Sequence, residues 1–301
     1  MRPNARKGLK MSAPREDRLA LGVALAALAF FCFAWVDTSA KILAGMGLPV
    51  LVIAFFRYGI NFLFVLLWFV PREGRAALVS TVPKMQILRA LFLLSSTVLN
   101  FWALSYLPLT TTIPIFFAMP LVVCLLSVPL LGERVGIRRY LAVVIGFVGV
   151  MMIIRPTGLT FHWAMLISVT ATVTGSLYFI MTRMVAGRDD MPVGQVFTSG
   201  VATMVLLPLA WIFWQTPETV AQTGLLILAG AAAAIGHSVL TIAYRYGEAA
   251  QLTPVVYTEI IAITLISWLV FNEVPDMWTA LGTAVIIGSG LYVWMRERKL
   301  A

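Results

Sequence analysis

A chain of 301 residues that is 60% hydrophobic and only 12% charged carries more apolar surface than one soluble core can hide. Its mean hydropathy of +0.93 points to a polytopic membrane protein. A net charge of +9 raises nucleic acid as a partner, but the basic residues lie in short runs between apolar segments. They read as orientation charges, and no nucleic acid is expected.

Taken in order, residues 1–18 form a basic tail with Arg2, Arg6, Lys7, Lys10, Arg15 and Arg18. The apolar run behind it is long enough to span and has no convincing small-residue cleavage site, so it reads as an uncleaved first helix. Segmentation at charges and at Pro/Gly turns predicts about ten spans. They cover 19–43, 49–70, 84–106, 110–131, 138–155, 161–183, 193–214, 222–245, 251–271 and 277–295. Each is close to the roughly 20 residues that a bilayer requires. The connections are short, which predicts one all-α bundle without soluble domains. Residues 296–301 form a second basic tail.

With the N-terminus inside, 18 of the 22 Lys and Arg residues fall on the inner side. They include Arg72, Arg75, Lys84, Arg134, Arg138, Arg139, Arg183, Arg188, Arg245, Arg296, Arg298 and Lys299. The remaining four, Lys41, Arg57, Arg89 and Arg155, lie within spans or at their ends, and the outer loops 107–109, 215–221 and 272–276 have none. That asymmetry predicts a multi-pass protein of the cell inner membrane with both termini cytoplasmic. Trp68 and Trp294 near inner ends, and Trp102, Trp163, Trp211, Trp214, Trp268 and Trp278 near outer ends, read as interfacial belts.

The two halves are related. Shifting the first by 140 residues aligns Ala103/Ala243, Tyr106/Tyr246, Pro114/Pro254, Leu125/Leu265, Ser127/Ser267 and Glu133/Glu273. Each half holds about five helices, an odd number, so the second enters the membrane upside down. This predicts two inverted five-helix repeats, 19–155 and 161–295, joined by a linker at 156–160. Inverted repeats of this kind mark transporters, in which two similar halves rock about a midplane site.

The P…L…GE pattern at 114–133 and its P…NE counterpart at 254–273, set in two five-helix halves, resemble the drug/metabolite transporter superfamily, EamA type. Three stretches are similar to the branch of that superfamily containing bacterial riboflavin and S-adenosylmethionine uptake proteins. They are Asp37–Lys41 with Ala54–Arg57, Leu88–Ala90, and Tyr257–Glu259 with Phe271–Asp276. The position that matches Arg57 in the second half is Gly200, so the halves differ chemically.

An ionised side chain deep in a span costs about 2.5–3.5 kcal/mol on insertion scales, so each such residue is a candidate for function. Asp37 and Arg57 are expected at similar depth from the outer side, as a structural clamp or a substrate anchor. His237 and Glu259 are expected to share a depth nearer the inner side and to pair around a proton. Lys41 is expected to snorkel to the outer surface. Tyr257, Asn61, Asn100 and Tyr178 complete the candidate substrate or coupling-ion set. Thr258, Ser176 and Thr182 are further polar groups of the bundle, most such groups reading as interhelical hydrogen bonds. Pro114, Pro120, Pro129 and Pro208 are expected to interrupt backbone bonding within spans. Glu133 and Glu273 read as structural helix-end residues.

Cys32 and Cys124 have no ligand spacing, and no metal or cofactor is expected. No nucleotide-binding motif occurs, so a proton or solute gradient supplies the driving force. The expected function is secondary transport of a small organic metabolite by alternating access. Riboflavin uptake is the leading reading; S-adenosylmethionine uptake or exchange and amino-acid or metabolite export remain open. A channel would need one sign of charge along a pore, and a membrane enzyme an acid/base set at one interface. Neither is visible. The expected partners are a small-molecule substrate and the lipid bilayer, with a homodimer left open.

Overall fold

The computed structural model describes residues 16–133, 135–156, 158, 160–247 and 249–298. Arg2, Arg6, Lys7, Lys10, Arg15, Arg134 and Lys299, counted above among the orientation charges, lie outside them. Among the described residues the chain is helical, with ten segments long and apolar enough to cross a membrane. The first three spans are α1 (Glu16–Gly45), α2 (Val50–Glu73) and α3 (Pro83–Leu104). The fourth is split into α4 (Leu109–Phe116) and α5 (Met119–Leu131), and α6 (Ile137–Ile154) is the fifth. In the second half, α7 (Ala164–Val185), α8 (Met191–Ile212) and α9 (Val220–Ala243) are unbroken. The ninth span is assembled from α10 (Ala249–Leu252), a 3₁₀ turn (Thr253–Tyr257) and α11 (Thr258–Phe271), and α12 (Met277–Arg298) closes the bundle.

Helix contacts follow the inverted repeat. The largest are α1 with α9 and α3 with α7, and exchanging the two halves converts one pair into the other. The pairs α2–α8, α6–α12 and α4–α11 join equivalent helices of the two halves. Water does not drive helices together in a bilayer, so close backbone approach has to do so. At the α6–α12 crossing a Cβ on Gly149 would stand 2.7 Å from the Gly282 carbonyl oxygen. A Cβ on Gly282 would stand 2.6 Å from that of Gly149. The two backbones touch there because neither residue has a side chain. The outward surface is apolar, with Leu63, Leu67, Met204, Trp211, Ile261 and Leu269 all well exposed. Such a surface is at home against lipid and would be an aggregation liability in water.

The helix ends at 131–133 and 271–273 repeat in detail. Gly132 and Asn272 both adopt the left-handed conformation, with φ 69° and 56°. The Glu133 amide donates to the Ser127 carbonyl at 3.3 Å, and the Glu273 amide to the Ser267 carbonyl at 3.1 Å. A left-handed residue that turns the next amide back onto the helix satisfies carbonyls that would otherwise be orphaned. Glycine takes this conformation without strain, and asparagine is among the few other residues that tolerate it. Both glutamates also hold a cation, Arg183 for Glu133 and Lys41 for Glu273.

Candidate functional site

The ninth span, expected as one helix over 251–271, tightens into a 3₁₀ turn at Thr253–Tyr257 before α11 begins. Pro254 removes a donor at that point, which favours the tighter turn. The fourth span is interrupted at Phe117–Ala118, between Pro114 and Pro120. Phe117 and Tyr257 are equivalent under the 140-residue shift, and their rings lie 6.4 Å apart. The two irregular turns therefore face each other at the centre of the bundle. Hydroxyls of α7 cover the carbonyls exposed by the first: Thr172 Oγ1 donates to Ile115 O (3.1 Å) and Ser176 Oγ to Met119 O (3.3 Å). Irregular backbone at this depth persists only where protein or a cavity satisfies it. Pro129 and Pro208, by contrast, sit inside continuous α5 and α8.

Around this centre the structure gathers the candidate residues, with different partners from those expected. Asp37 does not close an ion pair with Arg57 within 4.0 Å. Its Oδ1 accepts from Asn100 Nδ2 at 3.0 Å, and Arg57 is an electrostatic neighbour. Arg57 lies with its guanidinium carbon 4.1 Å from the ring centre of Tyr58, whose hydroxyl is 2.8 Å from Thr97 Oγ1. Arg57 is 6% exposed, and its Nε and Nη1 have no hydrogen-bond partner. Asn61, one turn along the same helix, is also buried with an unpartnered Oδ1.

The expected His237–Glu259 pair is not formed. His237 packs against the Phe33 ring at 4.8 Å, and the charge it feels is that of Arg57. Glu259 is 6% exposed, and its charged neighbour is Asp37. The physical reason is the packing of α1, which lies against both α9 and α11 and presents Phe33 and Asp37 between them. Instead of two separate pairs, a string runs from Asn100 through Asp37 and Arg57 to His237, with Glu259 joined to it at Asp37. Asp37 and His237 are half-buried.

Other residues depart from expectation. Lys41 does not snorkel. Its Nζ lies 2.7 Å from both carboxylate oxygens of Glu273 and 4.6 Å from the ring centre of Phe271. It thereby ties α1 to the end of α11. Tyr178 is half-buried and receives the Arg89 guanidinium over its ring at 5.6 Å. Thr182 bonds back to the Tyr178 carbonyl within its own helix and so joins no second helix. Sequence reasoning passed over Tyr58, although it adjoins Arg57. It also passed over the Asp189 carboxylate in the α7–α8 loop. That carboxylate accepts from Ser80 Oγ, Gln86 Nε2 at 2.8 Å, and Thr81 N and Oγ1, both at 2.8 Å. Burial raises the Asp189 pKa, but these hydrogen bonds outweigh it and hold the carboxyl at about 2. Nothing in the sequence marks a contact between two loops about a hundred residues apart.

A model of the EamA-like transporter family matches residues 20–155 and again 162–295. The chain belongs to the EamA-like transporter family. A relative in Rickettsia bellii, named as an S-adenosylmethionine uptake transporter, is 30% identical over 248 residues, covering 82% of this chain and 84% of that protein. A riboflavin transporter of Vibrio cholerae is 29% identical over 254 residues, covering 84% and 85%. A pseudopaline exporter of Pseudomonas aeruginosa is 28% identical over 272 residues, covering 90% and 95%. The chain is thus a multi-pass small-molecule transporter whose relatives carry different solutes in different directions.

Proposed function

We propose that this protein is a secondary transporter that exposes one central site alternately to the two sides of the cell inner membrane, with both termini cytoplasmic. The observation that carries the reading is the meeting of two irregular turns, one from each half, beside a buried string of ionisable residues. Asp37, Arg57, Asn61 and Asn100 come from the first half, Tyr178, His237, Tyr257 and Glu259 from the second. A solute held between them touches both halves, so rocking one half against the other changes the side from which it is reached.

Ties between the halves at both ends of the bundle support this. At the basic end the Asp189 carboxylate, in the second half, holds the Ser80–Gln86 segment of the first. At the opposite end Lys41 pairs with Glu273 and Arg155 with Asp276. Opening toward either side requires one set to loosen.

For the solute, the ring-rich lining of Phe33, Phe117, Tyr178 and Tyr257 supports a flat ring system and so the riboflavin reading. A second reading, an adenosyl sulfonium solute as carried by the Rickettsia relative, is supported by the two carboxylates Asp37 and Glu259. The two acids are electrostatic neighbours and Arg57 is the neighbour of Asp37 alone, so a cationic solute or a proton would relieve their mutual repulsion. Purified protein in liposomes preloaded with unlabelled riboflavin or S-adenosylmethionine should accumulate the labelled compound faster than empty liposomes. Entry that neither saturates nor responds to solute on the far side would refute alternating access.

A further inference from the structure

We propose that an outward-facing groove between α5 and α6 holds one anionic phospholipid of the surrounding membrane, its phosphate beside Arg183 and Tyr140. The site lies away from the centre of the bundle and does not rest on the transporter reading. The groove has a volume of about 520 Å³ and is lined by Leu125, Val128, Pro129, Glu133, Val135 and Tyr140. It exists because side chains are missing where the two helices meet. Gly132 follows α5 and Gly136 precedes α6, and a Cβ on either would meet nothing within 4 Å. Pro129 adds to the opening. It has no N–H for the Leu125 carbonyl one turn back, so α5 cannot close its regular bond there.

The two ends of the groove ask for different chemistry. Leu125, Val128 and Pro129 are apolar, and roughly 9 Å of helix separates Leu125 from the end of α5 at Leu131. That part reaches below the head groups, where an acyl chain lies. At the other end polar groups gather. The Glu133 carboxylate is already met by Arg183, whose side chain is 51% exposed. One bond to Glu133 leaves other N–H groups of the Arg183 fork free for a second oxyanion. Tyr140 is half-exposed at the rim, and its hydroxyl bonds to nothing among the described residues. Arg138, in the first turn of α6, is exposed and pairs with no acid among the described residues. Gly136 brings no side chain to cap α6, so the positive end of that helix is left open on the same side.

The spare charge at this end is therefore positive. A zwitterionic head would bring an ammonium to a place where the one carboxylate of the lining is taken. An anionic head brings only the charge that is wanted, as in basic pockets between membrane helices generally. Glu133 belongs to the first half and Arg183 to the second, so the bound lipid would bear on a contact between the halves.

The test is lipid binding to the purified protein, stripped of its lipids in detergent, by native mass spectrometry and by thermal shift. The probes are phosphatidylglycerol, phosphatidylethanolamine and phosphatidylcholine with the same acyl chains, and glycerol 3-phosphate as a head without a chain. We expect one phosphatidylglycerol to bind at least ~10-fold more tightly than either zwitterionic lipid, the scale of one charge-assisted hydrogen bond. Val128→Trp fills the groove and should remove that preference, whereas Leu67→Trp, on the exposed face of α2, should keep it. Arg138→Gln should weaken phosphatidylglycerol and leave phosphatidylcholine as before. Should Val128→Trp fail to fold, Arg138→Gln and the lipid series on the wild-type protein decide. Equal binding of the three lipids would mean that they act as solvent only, and overturns the proposal. So does a Val128→Trp protein with the wild-type preference, which would put the lipid elsewhere. Competition by glycerol 3-phosphate as strong as by the whole lipid would show an anion site that uses no groove, and overturns it as well.

Discussion

At the scale of single residues, the site is defined by what packs around each polar group more than by its depth along its own helix. Depth alone paired His237 with Glu259, and the structure instead sets Phe33 against His237 and Asp37 beside Glu259. Depth can be counted along a helix, but the direction in which a side chain points depends on which neighbour packs against that face. Tyr257 shows how tightly that direction is set. A Cβ on Gly290 would fall 1.8 Å from the Tyr257 hydroxyl oxygen and 3.0 Å from its ring carbon Cζ. Gly290→Ala is therefore expected to push the Tyr257 ring out of place, at about 1–3 kcal/mol of overpacking, and to lower both the unfolding temperature and transport. Tyr257→Phe in the same chain removes the clashing oxygen and should recover most of the unfolding temperature. A double variant no more stable than Gly290→Ala alone would show that Tyr257 does not stand where the structure places it.

At the scale of elements, the spans were legible in the sequence because length and apolarity decide them, and the ten segments agree with expectation to within a few residues. The repeat was legible for a similar reason: Ser127/Ser267 and Glu133/Glu273 mark two helix ends with the same hydrogen bond. The 3₁₀ turn at Thr253–Tyr257 was less visible, because an early proline such as Pro254 fits a helix start as well as an irregular turn. The loop contacts were not visible at all. Asp189 accepts from Ser80, Thr81 and Gln86 and thereby joins the α2–α3 connection to the α7–α8 connection. Its pKa, about 2 against an ordinary 3.8, is lowered on folding. The stability it contributes is therefore complete above pH 4 and lost as pH falls from about 4 toward 2. Asp189→Asn should unfold at a lower temperature than wild type at pH 7, and the gap should be constant from pH 5 to 8. Below pH 4 the gap should narrow. A gap that already closes between pH 8 and 5 would contradict this account of the loop contact.

At the scale of the whole molecule, the halves share a frame and differ in chemistry. The helix pairings exchange under the repeat, whereas Arg57 and Glu259 match Gly200 and Met119 in the other half. A frame used twice fits the proposed rocking of one half against the other. Side chains used once make up the proposed central site, with ties such as Lys41–Glu273 and Asp189–Ser80 at the two ends. The family follows from that frame. Relatives of similar identity carry names as different as S-adenosylmethionine uptake, riboflavin transport and pseudopaline export.

Glu259 is proposed to belong to the transport site and not to the scaffold. The most direct measurement compares wild-type and Glu259→Gln protein in the same liposomes, following counterflow of the labelled solute that wild type carries. The substitution keeps shape and removes the charge, so the variant should insert, purify and unfold like wild type and yet lose counterflow. A Glu259→Gln protein that exchanges solute at the wild-type rate would contradict the account.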